Sequence, residues 1–366
     1  MNSLIETNGH FNGSFDLATA KPKEWWEPAI GERPTADVPQ WAHGMVMMML
    51  FVQASCGTFF NLGVLLLFGK RKDFASPTNT IVQSLAVSDL FMCSVGVATP
   101  MMASYHQTWP FGELGCAYDG FVHYLGGNVQ IFTLVLVAVD RYICITRPMS
   151  PIKLNQAKAK MCVGGVWAMA FVVAFLPLLG WSKYVPEGPM TTCSVDWFSR
   201  DPGDQSYIIM IFIVCFVAPM GIIMFCYYFV YATIRNVARN GVWDVNSEKG
   251  KKNLAAEKKM LKTSVALLVS FNVCWVPYVL VAFGNAFGDP NSIPMFLQCF
   301  TPIFAKTQAT LDPILYVGTN KRFREAFLEM LPCKCMAEDD DDDDKKGNKV
   351  APAEQTQVTE QTEGGN

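Results

Sequence analysis

The chain has 366 residues, of which 51% are hydrophobic and only 17% charged; a soluble domain carries about 25% charged residues. Its charges are segregated, which excludes an ordinary soluble globule, and the formal net charge of −3 averages a basic interior against the unbroken acidic run 338–344. Most of the 12 cysteines stand in apolar stretches (Cys56, Cys93, Cys144, Cys162, Cys215, Cys226, Cys274, Cys299), and the histidines number 4, so neither a disulfide scaffold nor a metal site is expected.

Residues 1–42 form a polar segment without the basic start and apolar core of a signal peptide. Asn12-Gly13-Ser14 is a glycosylation sequon there. A bilayer core takes roughly 20 apolar residues per helical crossing, and seven stretches qualify or nearly do: about 43–69, 80–104, 116–145, 161–181, 207–233, 262–284 and 294–317. The alternation of a membrane barrel is absent. The expected fold is therefore an all-α membrane protein, a seven-transmembrane helix bundle over 43–317.

Lysines and arginines fall in the odd loops and after the last span: Lys70, Arg71 and Lys72; Lys153, Lys158 and Lys160; Arg235, Arg239 and the lysines of 249–259; Lys321, Arg322 and Arg324. By the positive-inside rule the N-terminus is extracellular and the C-terminus cytoplasmic. Residues 318–335 mix apolar and charged residues at helical spacing, an amphipathic eighth helix along the membrane surface. Cys333 and Cys335 are placed for palmitoylation or are plain cytosolic thiols. The tail 336–366 is polar and acidic, the composition of a disordered segment.

Lys306 is the sharpest single signal, since it sits in mid-span with roughly ten residues to either end. Its ionised form there costs at least about 2.5–3.5 kcal/mol, which makes it a functional-site residue by default. Burial favours the neutral amine, the form that condenses with an aldehyde. The resulting iminium needs an anion, and two acids are placed for it: Asp119, one turn inside the third span, and Glu187, in the loop before Cys193. Sequence does not choose between them. Cys116 and Cys193 are the only cysteines expected at the extracellular end, and their disulfide would draw that loop across the bundle mouth. At the other end Asp140-Arg141-Tyr142 closes the third span and Glu257 opens the sixth, an ion pair that a conformational change can break. Pro277 after Trp275, and Pro313 in Asp312-Pro313-Ile314-Leu315-Tyr316, remove backbone hydrogen bonds and allow bends.

Taken together these residues resemble the rhodopsin-like class of G-protein-coupled receptors over about 43–335. Asn61, Asp89, Arg141, Trp167, Pro219, Pro277 and Pro313 match the class's signature residue of each span, in order. Lys306 six residues before Asp312-Pro313, Gly126-Gly127 and Tyr278 resemble the animal opsins. The acidic loop 194–201 looks like that of invertebrate opsins, whereas Asn320-Lys321-Arg322 looks more like ciliary ones, so a non-standard or bistable invertebrate pigment is implied.

The resemblance implies retinal (11-cis, all-trans after light) as a protonated Schiff base on Lys306, with Glu187 or Asp119 as counterion. It also implies a pocket of Trp275, Tyr278, Gly126, Gly127 and His123, and a sodium-site or water network at Asn61 and Asp89. Coupling falls to Asp140, Arg141, Tyr142, Glu257, Asp312, Pro313 and Tyr316. The implied partners are a heterotrimeric G protein, arrestin, a receptor kinase and membrane lipid, with no nucleic acid. The implied location is a plasma or photoreceptor membrane, and no enzyme activity is expected. Where the family usually has Asn, this chain has Asp312. Two other readings stand beside the light receptor. One is a retinal photoisomerase like retinochrome, against which the intact Asp140-Arg141-Tyr142 argues. The other is a receptor for a diffusible ligand; an amine is disfavoured, because His123 occupies the position where amine receptors carry Asp.

Overall fold

The structure, a computed structural model, describes residues 38–147, 150–240 and 248–330, with backbone only at 73, 237–240 and 248–257. Among the described residues, six continuous helices are long and apolar enough to cross a membrane: α1 (Gln40–Lys70), α2 (Pro77–His106), α3 (Gly112–Thr146), α4 (Gln156–Leu179), α5 (Pro202–Asn236) and α6, whose helix runs Glu248–Phe287. The seventh, α7, is broken into Met295–Lys306 and Gln308–Thr319, and α8 (Lys321–Met330) follows it.

Local chemistry sets the ends. Ser76, Asn155 and Asp201 each accept a backbone N–H in the first turn of the helix they precede, and Pro77 and Pro202 occupy the first position, where a missing N–H costs nothing. Such polar turns extend the helices beyond the apolar stretches read from sequence, so α5 begins at Pro202 rather than near 207. Three spans carry an inserted π-helical turn, at Gln53–Gly57, Met92–Gly96 and Ile213–Val217. Pro100 and Pro219 follow two of them closely, where a missing N–H already interrupts the ladder.

α3 runs through the middle, in contact with α2, α4, α5, α6 and both strands of a short hairpin. Leu125, Val129 and Phe132 of α3 pack with Ala170 of α4, Ile223 of α5 and Phe271 of α6 in the main core. The outer surfaces of α4 and α5 instead present Met161, Phe171, Val172, Met224 and Phe225 outward, an apolar exterior that suits lipid as solvent. α8 buries Phe323, Ala326 and Phe327; Phe323 meets Tyr316 edge-on at 4.8 Å.

The expectation of a wholly helical chain needs one local addition. β1 (Tyr184–Glu187) and β2 (Thr192–Val195) pair antiparallel, Glu187 opposite Thr192 and Pro186 opposite Cys193. Cys116 and Cys193 are disulfide-bonded, which fixes the hairpin to the start of α3. Beyond β2, Arg200 donates to the carbonyls of Asn285 (3.1 Å), Ala286 (2.9 Å) and Gly288 (3.3 Å) and so holds the end of α6.

Candidate functional site

The hairpin roofs a cavity between α3, α5, α6 and α7 whose walls are mostly apolar and aromatic, Phe271, Trp275, Phe212 and Ile208 among them. Lys306 ends the first half of α7 and points into this cavity, 8% exposed. The chain turns tightly there: Thr307 and Thr310 donate their N–H groups three residues back, to Phe304 and Thr307, so the lysine stands at a break in the helix.

Nζ of Lys306 donates to the hydroxyl of Thr192 on β2. That hydroxyl donates in turn to Oδ2 of Asp119 at 3.1 Å. The backbone N–H of Cys193 reaches the same oxygen at 2.8 Å, and Thr99 donates to Oδ1 at 2.7 Å. His123 Nδ1 lies 2.9 Å from the Asp119 carbonyl and 3.4 Å from Oδ1. With so many donors converging on it, Asp119 sits in an environment built for a carboxylate. It stands behind Thr192 rather than in the cavity wall.

Glu187 lies in that wall, buried with 8% exposure. The Tyr278 hydroxyl donates to its Oε2 at 3.1 Å. Tyr278 also meets Ser194 at 2.8 Å and receives the indole N–H of Trp197 at 3.1 Å. Burial pushes the Glu187 carboxyl up to about 7, against the opposing pull of Lys306 and the Tyr278 bond. Both sequence candidates thus face the lysine from different sides, Asp119 through one hydroxyl and Glu187 across the cavity.

Gly127 lines the cavity, where a Cβ would come 2.7 Å from Cη2 of Trp275; Gly126 faces Met92 of α2 instead. Of the two glycines expected in the pocket, Gly127 lines it, whereas Gly126 reaches it only through Met92, itself a lining residue. His123 also reaches the cavity. The buried Nε1 of Trp275 and Nδ2 of Asn128 are without protein partners beside it.

Toward the other end, Asn61 donates to the Ala309 carbonyl at 2.8 Å, the one that Pro313 deprives of its helical N–H. Gln130 donates to Asp89 (2.6 Å), and Gln308 donates to Asp312. Tyr316 donates to Asn79 at 2.9 Å. Arg141 is buried and donates to Asp140 (2.6 Å) and Thr78 (2.9 Å), while Tyr142 packs on Phe225 and Phe229. The side chain of Glu257, with Asn12, Cys333 and Cys335, lies outside the described residues.

Sequence reasoning missed Thr192, Thr99, Ser194, Trp197, Gln130 and Gln308. Thr192 alone had a signal, its place beside Cys193; the others are ordinary polar residues until the helices are assembled.

The residues fit an aldehyde-bearing polyene. One primary amine opens on an apolar cavity, and the glycine facing Trp275 keeps room that a methyl group would fill. Comparisons with known proteins agree. Residues 60–316 match the 7 transmembrane receptor (rhodopsin family). Rhodopsin of Alligator mississippiensis is 34% identical over 298 residues, 80% of this chain and 82% of that protein. The crystal structure of squid rhodopsin superposes with a TM-score of 0.78 at 27% identity, covering 90% of this chain and 99% of that one.

Proposed function

Because this chain belongs to the rhodopsin family of seven-transmembrane receptors, as an animal opsin and not an enzyme, we propose that it is a light receptor that carries retinal on Lys306 and activates a heterotrimeric G protein. The observation that carries the reading is a single buried amine opening on an aromatic cavity with two acids around it. Bound there as the 11-cis isomer through its aldehyde, retinal supplies visible absorption and, on isomerising to all-trans, a change of shape.

The chain's own residues do the rest. Thr192 holds the nitrogen of Lys306 toward Asp119, and Asp119 or Glu187 supplies the negative charge that keeps that nitrogen protonated. The hairpin and its disulfide exclude water from the cavity, which strengthens those interactions. Trp275, stacked on Phe271 with centroids 5.6 Å apart, passes displacement to α6 just before the Pro277 bend. Movement of α6 then frees the Arg141 end for a G-protein helix. In this reading the hairpin end is extracellular and the Arg141 end cytoplasmic. Segment 1–42 is extracellular and glycosylated at Asn12, 318–335 is membrane-bound with palmitoyl at Cys333 or Cys335, and 336–366 meets arrestin and a receptor kinase.

Purified protein mixed with 11-cis-retinal is expected to gain a visible absorption band and light-dependent nucleotide exchange on a G protein. Lys306→Ala abolishes both. A band that survives in that variant refutes the attachment. Of Asp119→Asn and Glu187→Gln, loss of the principal counterion moves the band to the ultraviolet near neutral pH.

A further inference from the structure

Asn128 of α3 lines the cavity and is 7% exposed. Among the described residues, no protein group meets its buried amide nitrogen. It stands nine positions after Asp119, roughly 13 Å further along the helix at about 1.5 Å per residue. Asp119 is the acid tied through Thr192 to Lys306, so the unmet amide belongs to a part of the cavity remote from the amine. The wall that α5 adds comes from Ile208, Ile211, Phe212, Cys215 and Phe216, which offer carbon and one thiol. Cys215, in the π-helical turn of α5, packs against the cluster of Leu125, Val129 and Ile131 that flanks Asn128 on α3.

A buried amide is normally hydrogen-bonded, and each exception calls for an explanation. Water is a poor partner here, because an ordered water takes about two to four polar contacts and the side chains around it supply little but carbon. Unsubstituted retinal is no better. Its single oxygen leaves as water when the aldehyde condenses with Lys306, and the rest of the molecule is hydrocarbon. A ring hydroxyl completes the site: it accepts from the amide nitrogen or donates to the amide oxygen, so it serves whichever way the amide is turned. We propose, building on the light-receptor reading, that the cavity selects a retinal hydroxylated on its ring and that Asn128 recognises the hydroxyl. Lys306 then fixes the aldehyde carbon at one end, and Asn128 reads the ring at the other.

The test is competitive reconstitution of the full-length protein in lipid nanodiscs. Equal amounts of 11-cis-retinal and of its 3-hydroxy or 4-hydroxy derivative are offered in darkness. The bound chromophores are released with hydroxylamine and quantified by chromatography. One of the two hydroxylated forms is expected to be favoured about tenfold, the worth of one hydrogen bond to an otherwise unmet amide. Asn128→Leu and Asn128→Ala are each expected to bring that ratio close to one. Thermal unfolding of the retinal-free protein checks that each variant is folded. Equal uptake by the wild-type chain, or a preference for unsubstituted retinal, overturns the proposal whatever the variants do. A preference for the hydroxylated form that survives in both variants also overturns it, because the hydroxyl is then met elsewhere. A chain that forms no visible band with any of the three removes the light-receptor reading and the proposal with it, a result distinct from equal uptake.

Discussion

At Glu187, burial leaves a mark that pH can read. Its carboxyl titrates at about 7 in the folded chain and near 4.3 when unfolded. Between those values the folded protein holds the extra proton, so stability is greatest at the acid side and falls as pH rises through the window. The loss is on the order of 3 kcal/mol for a fully buried group. Thermal unfolding of the retinal-free protein from pH 5 to pH 8 is expected to show this decline, with Glu187→Gln flattening it; equal slopes would mean another group is responsible. Gly127 makes a second prediction. A methyl group there meets the Trp275 ring at 2.7 Å, and overpacking of this kind costs about 1–3 kcal/mol. Gly127→Ala is expected to lower the unfolding temperature and weaken retinal uptake, whereas Gly126→Ala, pressed against Met92, lowers stability without acting on the cavity directly.

Among the elements, α7 is the instructive one. Its apolar stretch was legible in the sequence, but as a continuous span it is not there: the helix is interrupted beside Lys306, and two prolines lie within its halves. Asn61 compensates for one of them by donating to Ala309 and Gly57. Asn61→Ala is expected to cost about 1–3 kcal/mol, the penalty for leaving buried carbonyls unmet, measurable as a lower unfolding temperature. At the far end, the hydroxyls of Thr263 on α6 and Thr319 on α7 meet at 2.8 Å. If α6 leaves α7 on activation, this bond must break. Thr263→Val removes about 1 kcal/mol from the closed form and is expected to raise dark nucleotide exchange roughly fivefold. The π-helical turns and the β-hairpin were illegible, because both depend on contacts between segments rather than on any local periodicity.

For the whole molecule, hydropathy and the chemical oddity of Lys306 carried most of the architecture. An amine in an apolar span announces itself in one dimension, and so does a proline in a helix. What connects them does not: Thr192 becomes the link between Lys306 and Asp119 only once the disulfide lays β2 over the bundle. That disulfide closes 77 residues of chain, worth up to about 4.5 kcal/mol in a loop-entropy estimate. Reduction, or Cys116→Ser with Cys193→Ser, is expected to lower the unfolding temperature and leave Lys306 open to water-borne amine reagents. The grip of Arg200 on the last carbonyls of α6 has a mechanical corollary. Pro277 divides that helix into roughly 15 Å on the gripped side and roughly 44 Å on the free side, at about 1.5 Å per residue. With its short arm clamped, the helix is an unequal lever, and a tilt of about 10° at the proline sweeps the distant tip through roughly 8 Å while its anchored end barely stirs.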